Sequence, residues 1–336
     1  METLIYEKLD KKRVRCGICR HFCVIPKGER GLCMVRENRN GRLLCLSYPK
    51  LAAASVDPIE KKPVFHFRPG SLSYSIASVG CNFVCSFCQN SDIAQMPRDF
   101  SGMIQGRDVT PEAIVSNALK SGCDSIAYTY TEPTVFFELA FETAKLAKEK
   151  GLFNIFVTNG YMSDSALEMI RPYLDIANVD LKAFDNSFYK KYCRAQLEPV
   201  KASIKKMKDS GMLVEITTLL VPGLNDRERD LKAMAEYIVS ELGPETPWHI
   251  SRFHPCYKMQ DRPATDIASL KKAFETGRMA GLHHVYTGNA PGLASENTFC
   301  YRCGALVVRR TGYHIENYLV SSGKCPSCNT EIYGIY

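Results

Sequence analysis

Three cysteines in one short stretch carry the clearest chemistry of this 336-residue chain. They are Cys81, Cys85 and Cys88, in a C-x3-C-x2-C spacing that follows an apolar run and Gly80. Closed zinc and iron–sulfur sites in proteins use four ligands. Three thiolates therefore predict a [4Fe–4S] cluster with one iron open to a further molecule. The alternative is a buried stripe on a helix, because positions i, i+4 and i+7 share one helical face.

A second set of cysteines lies near the carboxyl end of the chain. Two C-x2-C pairs, separated by twenty-one residues, comprise Cys300, Cys303, Cys325 and Cys328. This spacing is typical of a zinc ribbon, and four thiolates also bind iron. Short strands are expected at 305–309 and 313–319. We predict a zinc-ribbon or rubredoxin-like module in which the metal, most simply zinc, is structural.

A third set lies near the amino end, where Cys16, Cys19, Cys23 and Cys33 are separated by two, three and nine residues. Four thiolates close a structural zinc site or hold an auxiliary [4Fe–4S] cluster. The spacing of the cysteines is compatible with either metal centre, and our interpretation favours zinc.

Composition limits the class of protein. The chain is 45% hydrophobic and 24% charged, as expected of a soluble globular protein, and no apolar run approaches the length of a membrane span. It has fifteen cysteines and starts without a secretory signal, which predicts metal ligation in a reducing cytoplasm. Its formal charge of +7 falls to about +2 once the three cysteine sets hold metals, so a nucleic acid is not the expected partner.

The arrangement of apolar runs predicts an α/β fold in three parts. Residues 1–60 form a cysteine-rich metal-binding segment, 61–290 the main domain, and 291–336 the C-terminal module. Within the main domain, strands alternate with helices, which indicates a parallel sheet. Six βα units predict a partial, open (β/α)6 barrel. The six predicted strands are 74–79, 125–130, 153–158, 176–181, 213–220 and 248–253.

Residues whose side chains could take part in binding or catalysis follow these strands. The cysteine loop follows the first strand, Thr131 and Glu132 the second, and Asn159 the third. Lys182 follows the fourth and His254 the sixth. Active residues of βα barrels gather at the carboxyl ends of the strands, so these side chains are expected at one rim.

The cysteine spacing, with Phe87 before the third cysteine, resembles the signature of radical S-adenosylmethionine (SAM) enzymes. That resemblance implies that the open iron binds the amino and carboxylate groups of SAM and that Phe87 lies near the adenine. The main domain is also similar to pyruvate formate-lyase activating enzymes. Their Gly-Gly-Glu-Pro motif corresponds to residues 130–133 here, their Asp-Thr-Asn-Gly to 157–160, and their Asp-Leu-Lys to 180–182.

The resemblance implies roles for individual residues. Glu132, with the backbone at Thr131, would receive the SAM amino group, and Lys182 the SAM carboxylate. Asn159 or Thr158 would serve the ribose. The histidine of the Arg-Phe-His-Pro sequence, His254, would lie near the adenosine. The chain departs from the motifs by lacking both glycines and the aspartate. Each role has an alternative. Glu132 could instead be an acid at a helix start, Asn159 part of an Asn-Gly turn, and Lys182 a surface lysine.

Together the three cysteine sets resemble the radical SAM enzyme of the AmmeMemoRadiSam system. This implies reductive cleavage of SAM to a 5′-deoxyadenosyl radical, which abstracts hydrogen from an unidentified protein, peptide or small molecule. It also implies an oxygen-sensitive protein, a flavodoxin- or ferredoxin-like electron donor, and Memo-like and AMME-region-type partners. Two alternatives stay open: a glycyl-radical enzyme activase proper, and a non-catalytic metal-bearing scaffold that binds RNA or protein.

Overall fold

The computed structural model describes residues 1–290, 293–320 and 322–336. The predicted domain boundary between 290 and 291 borders residues 291 and 292, which lie outside the described residues. That boundary and the one after residue 60 stay predictions. No helix in the described part of the chain is long and apolar enough to cross a membrane.

A mostly parallel sheet forms the centre of the molecule. In the described residues its strands are β1 (Ala53–Pro58), β2 (Leu72–Ala77), β3 (Ser125–Tyr128), β4 (Phe153–Thr158), β5 (Ile176–Asp180), β6 (Leu213–Leu220), β7 (Trp248–Arg252) and β8 (Val285–Gly288). They are arranged in chain order from one edge to the other, with β2 to β8 parallel and β1 antiparallel to β2. The sheet is open, because β1 and β8 do not pair with each other within this described set.

Six longer helices connect the parallel strands and cover the sheet. They are α1 (Pro111–Lys120), α2 (Phe137–Glu149), α3 (Asp164–Ile170), α4 (Leu197–Asp209), α5 (Glu228–Tyr237) and α6 (Ile267–Met279). Some of these helices begin at a capping side chain. The Thr110 hydroxyl accepts a hydrogen bond from the Ala113 N–H at 3.3 Å, and Ser163 caps α3 in the same way.

The predicted strands are confirmed, and those at 153–158 and 213–220 have the predicted bounds. The predicted count of six units is too small, because β8 adds a seventh parallel strand. β8 has only four residues and follows two histidines, so it lacks the longer apolar run by which the other strands are identified. Fully buried apolar side chains such as Phe156, Val214 and Trp248 form the core against the helices.

The amino-terminal residues form short antiparallel elements beside the sheet. The strands are Tyr6–Lys8, Val14–Cys16, Val24–Ile25, Arg36–Arg39, Arg42–Cys45 and Lys50–Leu51, the last of which pairs with Arg107–Asp108. The remaining helical turns are Asp10–Lys12, Ile59–Lys61, Ser91–Ala94, Met96–Asp99, Asn186–Phe188, Tyr189–Cys193, Ile238–Leu242 and Ala294–Glu296.

The carboxyl-terminal module is a small antiparallel sheet of Thr298–Phe299, Leu306–Thr311 and His314–Tyr318. It is anchored to the rest of the protein by buried polar contacts. Arg310 donates a hydrogen bond to the carbonyl oxygen of Phe65 at 2.9 Å, and the Val214 N–H donates to the Tyr333 hydroxyl at 3.2 Å. The module therefore packs on the main domain through specific side chains.

Candidate functional site

A cavity of about 400 Å³ lies at the carboxyl ends of the parallel strands. Its walls come from β4 to β8 and the loops that follow β2 to β8, together with the segment before β2 and parts of the carboxyl-terminal module. All three loop cysteines line it, together with five of the predicted site residues: Phe87, Thr131, Glu132, Asn159 and Lys182. The structure thus brings together the residues expected after the first four predicted strands, whereas His254, expected after the sixth, does not line the cavity.

The cysteine loop, residues 78–90, contains no helix, so the helical-stripe alternative is wrong. Gly80, directly before Cys81, has φ +100°, and a Cβ there would lie 2.6 Å from Val35 Cγ1. Only glycine fits this turn without displacing its neighbours. The three sulfurs face the cavity without all lying within 4.8 Å of one another. This wider spacing suits ligands of separate irons in a cluster better than ligands of one ion.

A fourth thiol lies beside the loop. The side chain of Cys193 is fully buried and lies beside Cys85. The neighbouring Cys193 thiol, followed by the charge of Lys182, holds the pKa of Cys85 below its usual value despite burial. Burial raises the pKa of Cys88 to about 12. A lone cysteine far along the chain gave no sequence signal for this contact.

Glu132 is a buried carboxylate that joins the loops after β3 and β4. Its Oε1 accepts hydrogen bonds from the Thr134 N–H (3.0 Å), the Thr134 hydroxyl (2.5 Å) and the Thr158 hydroxyl (2.8 Å). Its Oε2 accepts one, from the Asn159 N–H at 2.8 Å. Burial raises the pKa of Glu132, and these bonds partly offset the effect. Because none of the donors belongs to α2, Glu132 does not act as an acid at that helix start.

The two candidate ribose residues are differently placed. Asn159 lines the cavity, and its Nδ2 donates to Asn82 Oδ1 at 2.7 Å, next to Cys81. Thr158 is 1% exposed and does not line the cavity, since its hydroxyl is directed to Glu132. Asn159 is therefore the one of the pair that faces the cavity, and it also steadies the cysteine loop.

Lys182 brings a cation to the same cavity. Its Nζ lies 3.0 Å from Asp180 Oδ2 and 5.9 Å from the centre of the Phe87 ring. Burial opposes the charge of Lys182, but Asp180 and the sulfurs of Cys85 and Cys193 outweigh it and keep the pKa above its usual range. The side chain retains 14% exposure, so this is a cation fixed in place with access to the cavity and not a freely solvated surface lysine.

The histidine nearest the cavity is not the predicted one. His254 is exposed and does not line the cavity, whereas His249, on β7, does. His249 Nε2 is 2.6 Å from Glu215 Oε2, and the ring stacks on Tyr286. The sequence gave no signal for His249 at the cavity, because a histidine within a strand resembles an ordinary core residue.

Tyr130 occupies the position of the first glycine in the activating-enzyme motif. Its φ of +59° lies in the left-handed region, which is strained for a bulky residue and favoured by glycine. Asn90 Nδ2 donates to its carbonyl at 2.8 Å, its hydroxyl donates to Asp57, and Lys62 Nζ lies 4.4 Å from its ring centre. Contacts with three other side chains thus hold Tyr130 in this turn.

The carboxyl-terminal cysteines converge on one point. The sulfurs of Cys300 and Cys328 are 3.6 Å apart, those of Cys303 and Cys325 are 3.7 Å apart, and all four lie within 4.8 Å of one another. Four thiolates around zinc, at about 2.3 Å each, are separated by about 3.8 Å. The set fits a single tetrahedral metal ion in a zinc-ribbon-like module.

The amino-terminal cysteines surround a separate, smaller cavity. All four line it, as do His21 and Asn82. Asn82 belongs to the cysteine loop, so this cavity lies directly behind the loop. His21 Nε2 is 2.9 Å from the carbonyl oxygen of Asn82 and therefore donates to it.

Comparisons with known proteins identify the family that the chain resembles. Residues 75–235 match the family model described as the radical SAM superfamily. An uncharacterized protein of Methanocaldococcus jannaschii is 45% identical over 98% of both chains. A pyruvate formate-lyase-activating enzyme of Streptococcus mutans is 26% identical over 51% of this chain and 66% of that enzyme.

Among solved structures, Streptococcus suis SuiB bound to S-adenosylmethionine superposes with a TM-score of 0.51 and 16% identity. The superposition covers 69% of this chain and 53% of SuiB. At this identity the similarity concerns the fold alone. The chain belongs to the radical SAM superfamily and is related to the pyruvate formate-lyase activating enzymes.

Proposed function

We propose that this protein is a radical SAM enzyme that holds a [4Fe–4S] cluster on Cys81, Cys85 and Cys88 and binds SAM in the adjacent cavity. The observation that carries the proposal is the convergence of three thiols, a fixed cation and a buried carboxylate on one cavity of about 400 Å³. That volume is within the usual range of small-ligand sites. When bound, the cluster and SAM supply a 5′-deoxyadenosyl radical for hydrogen abstraction.

The residues around the cavity match the two charged ends of the amino-acid part of SAM. Lys182 offers its ammonium group to the SAM carboxylate, in a charge-assisted contact. Glu132 Oε2 has one protein donor, from Asn159, and its remaining lone pair is available to the SAM ammonium group. The bonds to Oε1 hold the carboxylate in position, so little side-chain freedom is lost on binding.

Other cavity residues serve the nucleoside. Phe87 is 3% exposed and packs on Phe188, which presents a rigid apolar surface for the adenine. Thr131 holds the loop through a bond from its hydroxyl to the Ser78 carbonyl at 2.8 Å. Asn159 is the better candidate of the ribose pair, and it reaches a ribose hydroxyl by giving up its bond to Asn82. His254 would need a different arrangement of its loop to reach the adenosine.

The remaining assignments are part of the same proposal. Zinc at the C-terminal cysteines is supported by their tetrahedral spacing. Membership of the AmmeMemoRadiSam system, with Memo-like and AMME-region-type partners, is supported by the presence of three cysteine sets in one chain. A flavodoxin- or ferredoxin-like protein would supply the electron, and a protein, peptide or small molecule the hydrogen atom.

The test compares two buried cysteines. Each variant is purified without oxygen, reconstituted with iron and sulfide, reduced with dithionite and incubated with SAM. Cys85→Ala removes a cluster ligand and should give no 5′-deoxyadenosine. Cys123→Ala, at the opposite end of the sheet, should match the native protein. Product formation by the Cys85 variant at the native rate would overturn the proposal.

A further inference from the structure

The amino-terminal cysteines differ from the carboxyl-terminal set in one measurable respect. Among the described residues, only the C-terminal group brings three or more cysteine, histidine or acidic ligand atoms within 4.8 Å of one another. Cys16, Cys19, Cys23 and Cys33 line a common cavity, but no three of their sulfurs meet that distance. The two sets of four thiols therefore have different spacing.

With the sulfurs at these positions, a single metal ion cannot bind all four thiolates of the N-terminal set. Two sulfurs that both bind one zinc ion at about 2.3 Å are at most about 4.6 Å apart. An ion in this cavity would thus reach two of the four thiolates. A [4Fe–4S] cluster binds each cysteine to a different iron, so its ligands are spread around a larger centre. The three loop cysteines, assigned to a cluster on other grounds, share this wider spacing.

Two unpaired donors at the cavity provide an independent observation. Asn82 and Arg36 are both 2% exposed and both line the cavity. Neither Asn82 Nδ2 nor Arg36 Nε has a hydrogen-bond partner, although the other polar atoms of both side chains are bonded. A buried donor without an acceptor costs about 1–3 kcal/mol. The sulfides and thiolates of a cluster are acceptors, and such bonds are a usual feature of cluster sites.

The remaining walls suit a buried redox cluster. Ile18, Ile25, Leu32 and Val135 make most of the wall apolar, which limits access of water. The guanidinium of Arg36 is paired with Glu138 at 2.7 Å. We infer that Cys16, Cys19, Cys23 and Cys33 hold a second [4Fe–4S] cluster, directly behind the SAM-binding loop, and not zinc as the sequence alone favoured.

The metal content of the protein distinguishes a second [4Fe–4S] cluster from zinc at the N-terminal set. The full-length protein and a variant with Cys81, Cys85 and Cys88 all changed to serine are purified and reconstituted without oxygen. Iron, acid-labile sulfide and zinc are then measured per chain, with Mössbauer spectroscopy to identify the iron. We expect about eight irons and one zinc in the native protein, and about four irons and one zinc in the triple variant.

About four irons and two zincs in the native protein, with no iron left in the triple variant, would overturn the inference. A second variant, Cys19→Ser with Cys33→Ser, should lose about four irons and keep the loop cluster. If it fails to fold, the triple variant still decides. Metal content is measured independently of SAM cleavage. A protein with eight irons that forms no 5′-deoxyadenosine would contradict the proposed function but would still support the second cluster.

Discussion

Glu132→Gln is the substitution that best separates a ligand-binding role from a structural one. The change keeps the shape of the side chain and removes its charge. Oε1 accepts three protein hydrogen bonds, so the amide oxygen is retained there and the NH2 group replaces Oε2. That NH2 group then faces the Asn159 N–H and, in the proposed complex, the SAM ammonium, and it cannot accept from either.

Two separate losses follow. A hydrogen bond to a charged group contributes about 1.5–3 kcal/mol, so SAM should bind about 10- to 100-fold more weakly. The unpaired N–H of Asn159, which is buried, should lower the free energy of unfolding by about 1–3 kcal/mol. The first loss belongs to ligand binding and the second to the protein alone.

The assay is equilibrium binding of SAM to the reconstituted protein without oxygen, together with denaturant unfolding. Asp175→Asn is a matched control, because Asp175 Oδ2 accepts the Asn154 N–H at 2.9 Å near the amino ends of the strands. The control should lose stability without losing affinity for SAM. Native affinity in the Glu132 variant, with stability lowered as in the control, would refute the binding role.

Three further outcomes follow from the structure. Lys182→Met should weaken SAM binding by about 10- to 100-fold in the same assay, and an unchanged dissociation constant would contradict its role. Cys328→Ala should release zinc while the iron content stays as in the native protein, and retained zinc would argue against that site. Gly160→Ala should cost about 2–4 kcal/mol in denaturant unfolding, because its Cβ would lie 2.8 Å from Val179 Cγ1. Gly151→Ala, where a Cβ meets nothing within 4 Å, should cost about 1 kcal/mol, and equal losses would contradict the packing argument.

Six of the seven parallel strands were predictable because each is a largely buried run rich in apolar residues. Because the strands are parallel, their carboxyl ends meet at one edge of the sheet. This predicted that Glu132, Asn159 and Lys182 lie close together, and all three line the cavity. β8 was missed because four residues do not form a recognisable run. Local sequence patterns therefore sufficed for the elements that bury the most apolar surface.

The features that sequence alone did not supply depend on contacts between distant segments. The left-handed turn at Tyr130 is held by Asp57, Asn90 and Lys62, none of which is adjacent in the chain. Cys193 is a single cysteine until folding brings it to Cys85. The spacing of cysteines along a chain also does not determine the distances between their sulfurs, which is why the sequence left zinc and an iron–sulfur cluster both open at the amino-terminal set.

The most direct test of radical SAM chemistry is product stoichiometry in the native protein. Anaerobically reconstituted protein is reduced, incubated with SAM and analysed by chromatography and mass spectrometry. We predict 5′-deoxyadenosine and methionine in equal amounts, increasing together with time and absent when the reductant is left out. Protein that carries its full content of iron and sulfide and returns SAM intact would contradict the proposed function.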